Sequence, residues 1–287
     1  MTVEYYGAKP WLQVADSLGE SPRFDARTGS VHWIDIDAGL RRAAALDGFT
    51  ASAEDFGVPL GAHEFGVRMD AVAVGGDWFS VDRITGDRRP VASVDEPGMR
   101  FNDSAVDSRG RLWSATMRKG DVLDGEPRGT LRLLADDALQ TRLGGLTAGN
   151  GIAWSPDDRF MYLVDSGPDR VLRMEFDVDS GVIGAPDVWL EPRDGAADGI
   201  TSDLAGGVWV ALWGSGALHR YDATGRHVAV VRVAASQVTA ACFAGRDLRT
   251  LVITTAGRDT APGESGGTVF RVDVPIPGRP ATPWRGR

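Results

Sequence analysis

Five polar residues stand eight positions ahead of a turn residue: Arg68 before Gly76, Asn102 before Gly110, Asn150 before Asp158, Asp198 before Gly206 and Thr239 before Asp247. The same count back from Gly29 reaches Ser21, with Glu20 beside it. If the fold brings them together, two carboxylates and two amide oxygens form an oxygen-only set. Hard divalent cations prefer such a set, Ca²⁺ first, with Zn²⁺, Mg²⁺, Mn²⁺ and Fe²⁺ left open. Taken singly, an Asn or Asp at the start of a strand more often serves a turn or bulge by binding backbone amides. The shared spacing argues against that, because turn chemistry alone gives no reason to choose Asn, Asn, Asp and Glu at one repeated place.

The elements that must carry these residues repeat as well. Strand-like runs rich in aromatic and β-branched residues recur at 31–35, 77–81, 111–115, 160–164, 208–212 and 250–254. Trp33, Trp78, Trp113, Tyr162, Trp209 and Val252 mark them, at intervals of 45, 35, 49, 47 and 43 residues. Each interval suits a four-stranded meander. Polar turns such as Ser155-Pro156-Asp157-Asp158 precede the runs, and alternating segments such as Ala217 to Tyr221 follow them. The repeat predicts an all-β, six-bladed β-propeller with four-stranded antiparallel blades around a central channel, and one domain over residues 1–287. In that fold the six polar positions surround the channel mouth. A pair of Greek-key sandwiches would not produce six equivalent units.

Composition agrees with many turns. The chain has 37 glycines in 287 residues, well above the usual share of about 7 %. Cys242 is the single cysteine, which excludes an intrachain disulfide and cysteine-based zinc or iron-sulfur sites. A net charge of -9 spread along the chain gives no field to collect a phosphate backbone, so nucleic acid is not an expected partner. No stretch of eighteen apolar residues and no secretory signal pattern occurs, so the expected setting is cytoplasmic, with no membrane partner. No amphipathic helix or heptad pattern marks an oligomer interface.

Several strings in order along the chain resemble the regucalcin, gluconolactonase and luciferin-regenerating enzyme group, the senescence-marker-protein propellers. They are Leu18-Gly19-Glu20-Ser21-Pro22; Arg100-Phe101-Asn102-Asp103 followed by Ala115-Thr116-Met117; Asn150-Gly151-Ile152-Ala153; Asp198-Gly199-Ile200; and Val238-Thr239-Ala240-Ala241. The resemblance implies hydrolysis of a sugar lactone or related cyclic ester around one divalent metal held by Glu20, Asn150 and Asp198. It places Asn102 near that metal and gives Arg100 and Asn102 the substrate's hydroxyls or carbonyls. Asp198 is implied as ligand and general base together, and the partner is a small-molecule lactone or ester. The chain departs from the pattern at Ala197, where the group usually has Pro, and at Ser104, where it usually has Gly. It also has Arg118 and Lys119 where many lactonases carry acidic residues, which opens the idea of an anionic substrate. Two other readings keep the same site: an ester or phosphotriester as substrate, or a calcium-binding propeller without turnover.

Other signals carry less. Gly263-Glu264-Ser265-Gly266-Gly267 matches a serine-hydrolase elbow, but its Pro/Gly-rich setting before a strand is the wrong context. The histidines His32, His63, His219 and His227 lack metal-ligand spacing, and only His63 is a candidate proton shuttle at the channel mouth. Asp35 begins a calcium-loop pattern whose twelfth position is Leu46, not Glu. Cys242 reads as buried and inert.

Overall fold

The computed structural model describes residues 2–121, 123–135 and 138–286, and every regular element among them is a strand. Six sheets follow one another along the chain, so the fold is the expected six-bladed β-propeller. The chain groups into two compact units of three blades each, one made of residues up to Pro59 with Pro192–Pro280, the other of Leu60–Glu191 with residues from Ala281 onward.

In the first unit, blade 1 is Gly19–Asp25, Ser30–Asp35, Leu40–Ala45 and Ser52–Asp55. Blade 5 is Ala196–Ser202, Val208–Trp213, Ala217–Tyr221 and His227–Arg232, with Glu4–Gly7 added in parallel at its edge. Blade 6 is Val238–Ala244, Thr250–Thr255 and Thr268–Asp273, completed by the N-terminal strand Lys9–Gln13. Blade 5 thus has the four antiparallel strands expected and adds a fifth, parallel one at its edge.

In the second unit, blade 2 is Leu60–Glu64, Met69–Val74, Asp77–Asp82 and Arg88–Ser93. Blade 3 is Met99–Val106, Leu112–Arg118, Gly129–Ala135 and Ala138–Leu146. Blade 4 is Gly149–Trp154, Phe160–Asp165 and Arg170–Asp177, whose last strand pairs with two short segments, Val182–Ile183 and Asp187–Leu190.

Five of the six aromatic-rich runs are second strands, as the repeat implied, but Trp78 lies on the third strand of blade 2. Packing explains the slip. Trp78 is fully buried against Ala62, Ala71 and Ala73, so the first and second strands of that blade carry small residues where the indole fits. Counting back from Gly76 was therefore out by one strand. Arg68 sits exposed in the loop between the first two strands, and the equivalent place in blade 2 belongs to Gly61.

Trp33, Trp113 and Trp209 fill the blade cores and each spends its indole N–H on a buried carboxylate. Trp33 Nε1 donates to Asp16 Oδ2 at 2.8 Å, Trp113 to Asp107 Oδ2 at 2.9 Å and Trp209 to Asp203 Oδ2 at 2.9 Å. An arginine completes each clamp: Arg42 on Asp16, Arg111 on Asp107 and Arg220 on Asp203. A buried charge needs such a partner, and charge-assisted bonds of this kind are roughly twice as strong as neutral ones. Truncating one of these indoles to Ala would cost about 3–5 kcal/mol.

Candidate active site

The first strand of every blade breaks register near its start. The shift falls between Glu20 and Arg23, Leu60 and Ala62, Phe101 and Asp103, Gly149 and Ile152, Ala197 and Ile200, and Val238 and Ala240. A bulge re-aims the side chain it carries, which is why such features gather beside functional sites. The spacing in the sequence was thus reading a real structural period in five blades.

The bulges are of two kinds. In blades 2, 3 and 6 one extra residue is inserted, namely Gly61, Asn102 and Thr239. In blades 1, 4 and 5 two residues face one: Ser21 and Pro22, Asn150 and Gly151, Asp198 and Gly199. These three blades carry Glu20, Asn150 and Asp198. Glu20 stands just before its bulged pair, whereas Asn150 and Asp198 are the first members of theirs.

Within the first unit, short contacts tie the three bulges together. Thr239 Oγ1 donates to the Gly19 carbonyl at 2.5 Å and lies 2.9 Å from Thr254 Oγ1. Gly199 packs so closely on blade 6 that an added Cβ would lie 2.5 Å from Ala240 Cβ and 2.8 Å from the Thr239 carbonyl oxygen. Glycine is required there because of that approach. Ser21 is held at φ 50°, and its N–H donates to Glu20 Oε2 at 2.9 Å. Glu20 and Asp198 are buried, at 7 % and 8 % exposure.

The second unit builds its own linked set. Asn102 Nδ2 donates to the Gly149 carbonyl at 3.1 Å, and its Oδ1 accepts from Arg100 Nη1 at 2.8 Å. Both ends of the Asn102 amide are therefore committed to protein groups, which suits a positioning role better than a metal ligand. Asn150 is buried, and its Nδ2 donates to Ser166 Oγ at 3.1 Å. With the nitrogen spent on Ser166, the carbonyl oxygen is the end with ligand chemistry.

Arg100 has further partners. Its Nη1 also donates to the Phe101 carbonyl at 3.0 Å, and its Nη2 donates to Asp121 Oδ1 at 2.6 Å. Asp121 escaped the sequence reading. The bond spans 21 residues and depends on a turn with left-handed residues at Gly120 and Asp121, which no periodicity announces. Ser166 was missed for a similar reason, since it precedes the third strand of blade 4 and meets Asn150 only through the sheet.

The remaining candidates are placed as follows. His63 is buried on the first strand of blade 2, opposite Val72, two residues past the bulge. Next to it, Glu64 accepts from Ser104 Oγ at 2.9 Å, so the Ser104 departure is matched by a carboxylate on the neighbouring blade. Arg118 ends the second strand of blade 3 and pairs with Met99, while Arg100 pairs with Met117. Successive residues alternate faces, so Arg118 and Arg100 point to opposite sides of the sheet. Lys119 is exposed. Ser265 lies in a loop that leads to the strand Thr268–Asp273, with no helix, so the elbow pattern is a coincidence. Asp35 accepts the backbone N–H groups of Ser17 and Leu18, a structural use.

Among the described residues, no three His, Cys, Asp or Glu side chains cluster as a metal site, and no helix is long and apolar enough to cross a membrane. The candidate ligand set differs from such a cluster in relying on two carboxylates and an amide.

Comparison with known proteins points the same way. The pattern of the SMP-30/Gluconolactonase/LRE-like region matches residues 18–257. A pentonolactonase of Haloferax volcanii is 30% identical over 286 residues, 92% of this chain and 93% of the relative. A 6-deoxy-6-sulfogluconolactonase of Pseudomonas putida is 31% identical over 91% of this chain and 92% of its own. Among solved structures, a calcium-binding protein, regucalcin, of Agrobacterium tumefaciens aligns with a TM-score of 0.91 and 25% identity, covering 99% of this chain and 100% of that one.

Proposed function

The chain belongs to the SMP-30/gluconolactonase/LRE-like family, and on that premise we propose that it hydrolyses a sugar lactone to the open hydroxy acid, using a divalent cation held by Glu20, Asn150 and Asp198. The single observation that carries this reading is the type of bulge. Only blades 1, 4 and 5 set two residues of the first strand against one of the second; Glu20 directly precedes its pair, and Asn150 and Asp198 open theirs.

The donor set fits a hard cation. It consists of oxygen atoms only, two of them on buried carboxylates, and Ca²⁺ is the first choice on that chemistry. When bound, the cation would polarise the lactone carbonyl and make a coordinated water more acidic. The chain's own groups do the rest. Asp198 takes the proton from water as its oxygen bonds to the carbonyl carbon; the ring C–O bond then breaks, and the proton passes to the former ring oxygen. Arg100 and Asn102, locked to each other, hold the substrate's hydroxyls. The names of the pentonolactonase and sulfogluconolactonase relatives support a lactone substrate.

The test is a pH-stat assay against a lactone panel, with protein stripped of metal and then given Ca²⁺, Mg²⁺, Mn²⁺, Zn²⁺ or Fe²⁺. Hydrolysis restored by a metal supports the reading. Tight Ca²⁺ binding with no turnover of any lactone would leave a calcium-binding propeller in its place.

A further inference from the structure

Blade 6 closes with two cations side by side. Lys9 on its outermost strand pairs in register with Arg271 on the third strand, so both side chains stand on one face of the sheet. Like charges set directly opposite one another weaken a sheet unless something neutralises the pair. Among the described residues neither cation has a carboxylate partner. Arg271 is half-buried; its Nη1 donates to the Leu46 carbonyl at 3.1 Å, and its guanidinium lies 5.8 Å from the centre of the Trp11 ring. Trp11 is buried, and its Nε1 donates to the Gly48 carbonyl at 2.9 Å, which fastens the blade 1 turn that supplies Leu46. The guanidinium is thus held in place over the indole while its other N–H groups stay uncommitted among the described residues.

These two cations line an open cavity of about 670 Å³ on the outer strands of blade 6, together with Leu46, Asp47, Thr250 and Asp273. From this arrangement we infer a second binding site, separate from the candidate active site, for a small oxyanion that also carries hydroxyl groups, a sugar acid or a sugar phosphate. The inference does not depend on the lactonase reading. An oxyanion bridging Lys9 and Arg271 relieves the like-charge pair, and the planar guanidinium fork matches two of its oxygens. The hydroxyls answer the other two charges. Asp47 and Asp273 are exposed and have no cation partner among the described residues, and Asp273 Oδ1 accepts from Thr250 Oγ1 at 2.6 Å. An anion without donors meets only their repulsion, whereas O–H groups are donors that carboxylates accept. An ammonium in the hydroxyls' place would sit beside Lys9 and Arg271 and be repelled in turn. Thr239, at the candidate active site, lies on the first strand of the same blade, two strands inward from Arg271, so about 10 Å of sheet separates the two strands.

The experiment is isothermal titration of metal-free protein with gluconate, glucitol phosphate, glucitol and acetate, repeated on Lys9→Gln, Arg271→Lys and Asp198→Ala. Gluconate or glucitol phosphate should bind the wild type about tenfold more tightly than glucitol, which lacks the anion, and than acetate, which lacks the hydroxyls. The tighter of the two names the oxyanion, and either order upholds the site. Lys9→Gln should weaken that binding about fivefold and Arg271→Lys about tenfold, because lysine keeps the charge but loses the planar fork. Asp198→Ala should leave it unchanged. Lys9 is exposed, so its variant tests the site even if Arg271→Lys fails to fold. Binding that survives Lys9→Gln intact and disappears in Asp198→Ala places the ligand in the channel and overturns the inference. Failure of both anions to bind, or glucitol or acetate binding as tightly, overturns it as well. A protein that hydrolyses no lactone but binds gluconate through Lys9 and Arg271 upholds this site while the proposed function fails.

Discussion

Asn150 Nδ2 donates to the Ser166 hydroxyl at 3.1 Å, a bond from the first strand of blade 4 to the turn that follows its second strand. On the proposed reading it turns the amide oxygen toward the ligand role. Partners that orient a metal ligand are worth about 10–100-fold in affinity. Ser166→Ala is accordingly expected to raise the Kd for Ca²⁺ about tenfold by isothermal titration, with an unchanged circular dichroism spectrum. An unaltered Kd would remove Ser166 from the site.

Asp198 carries two proposed duties, ligand and base, so its loss should be felt twice. Asp198→Ala is expected to lower metal-supported lactone hydrolysis by about 10³-fold or more while the thermal transition stays cooperative. Glu20→Gln keeps the shape but removes one charge from the donor set, and should weaken metal binding more than it slows the saturated enzyme. Near wild-type turnover by the Asp198 variant would refute its role.

Asp203 binds Trp209 Nε1, the Arg220 guanidinium and the backbone N–H groups of Ala205 and Gly207. Removing the carboxylate leaves an arginine and three further donors without their acceptor in the interior. Asp203→Ala should cost about 3–5 kcal/mol in urea unfolding, and a loss under about 1 kcal/mol would contradict the clamp.

Cys242 is 8 % exposed, and burial pushes its thiol up to about 12. The thiolate is the reactive form, so the native protein should ignore Ellman's reagent at pH 8 and react fully once unfolded. Rapid labelling of the folded chain would show that the blade 6 strand opens.

His219 stacks on His227 with ring centroids 4.4 Å apart, and burial, with the neighbouring imidazole second, lowers its pKa to about 4. The unfolded chain therefore binds a proton between about pH 6.5 and 4 that the folded chain resists, so stability present above 6.5 is lost as pH falls through that window. For a buried but not fully enclosed ring the loss should be on the order of 2 kcal/mol. His219→Gln should flatten that part of the pH dependence of Tm; parallel curves would show that the imidazole stays uncoupled from folding.

The blade repeat was legible wherever a tryptophan or tyrosine sat on a second strand, because alternation and a polar turn then mark the same place. It slipped in blade 2, where Trp78 moved to the third strand and Met69–Val74 became the strand of small buried residues. The N-terminal strands Glu4–Gly7 and Lys9–Gln13 were illegible, since their partners lie near the other end of the chain. At the site, Asn150 and Asp198 showed as spacing because their bulges keep one distance from the turn. Asp121 and Ser166 act through contacts that cross a turn or a sheet, and local sequence carries no trace of those.

Lys9 pairs with Arg271 and Gln13 with Thr268, so blade 6 takes its outermost strand from the beginning of the chain. A ribosome exposes Lys9 long before Arg271 can emerge. Until then Lys9–Gln13 stays unpaired, and wherever it fails to dock the third strand keeps an uncovered edge. Joining such distant residues is a late and slow event, because the entropy of closing the loop comes due before its contacts form. Damage to Lys9–Gln13 should therefore be felt first in the yield of newly made protein, through aggregation at that uncovered edge, and only afterwards in the catalytic rate of molecules that have folded.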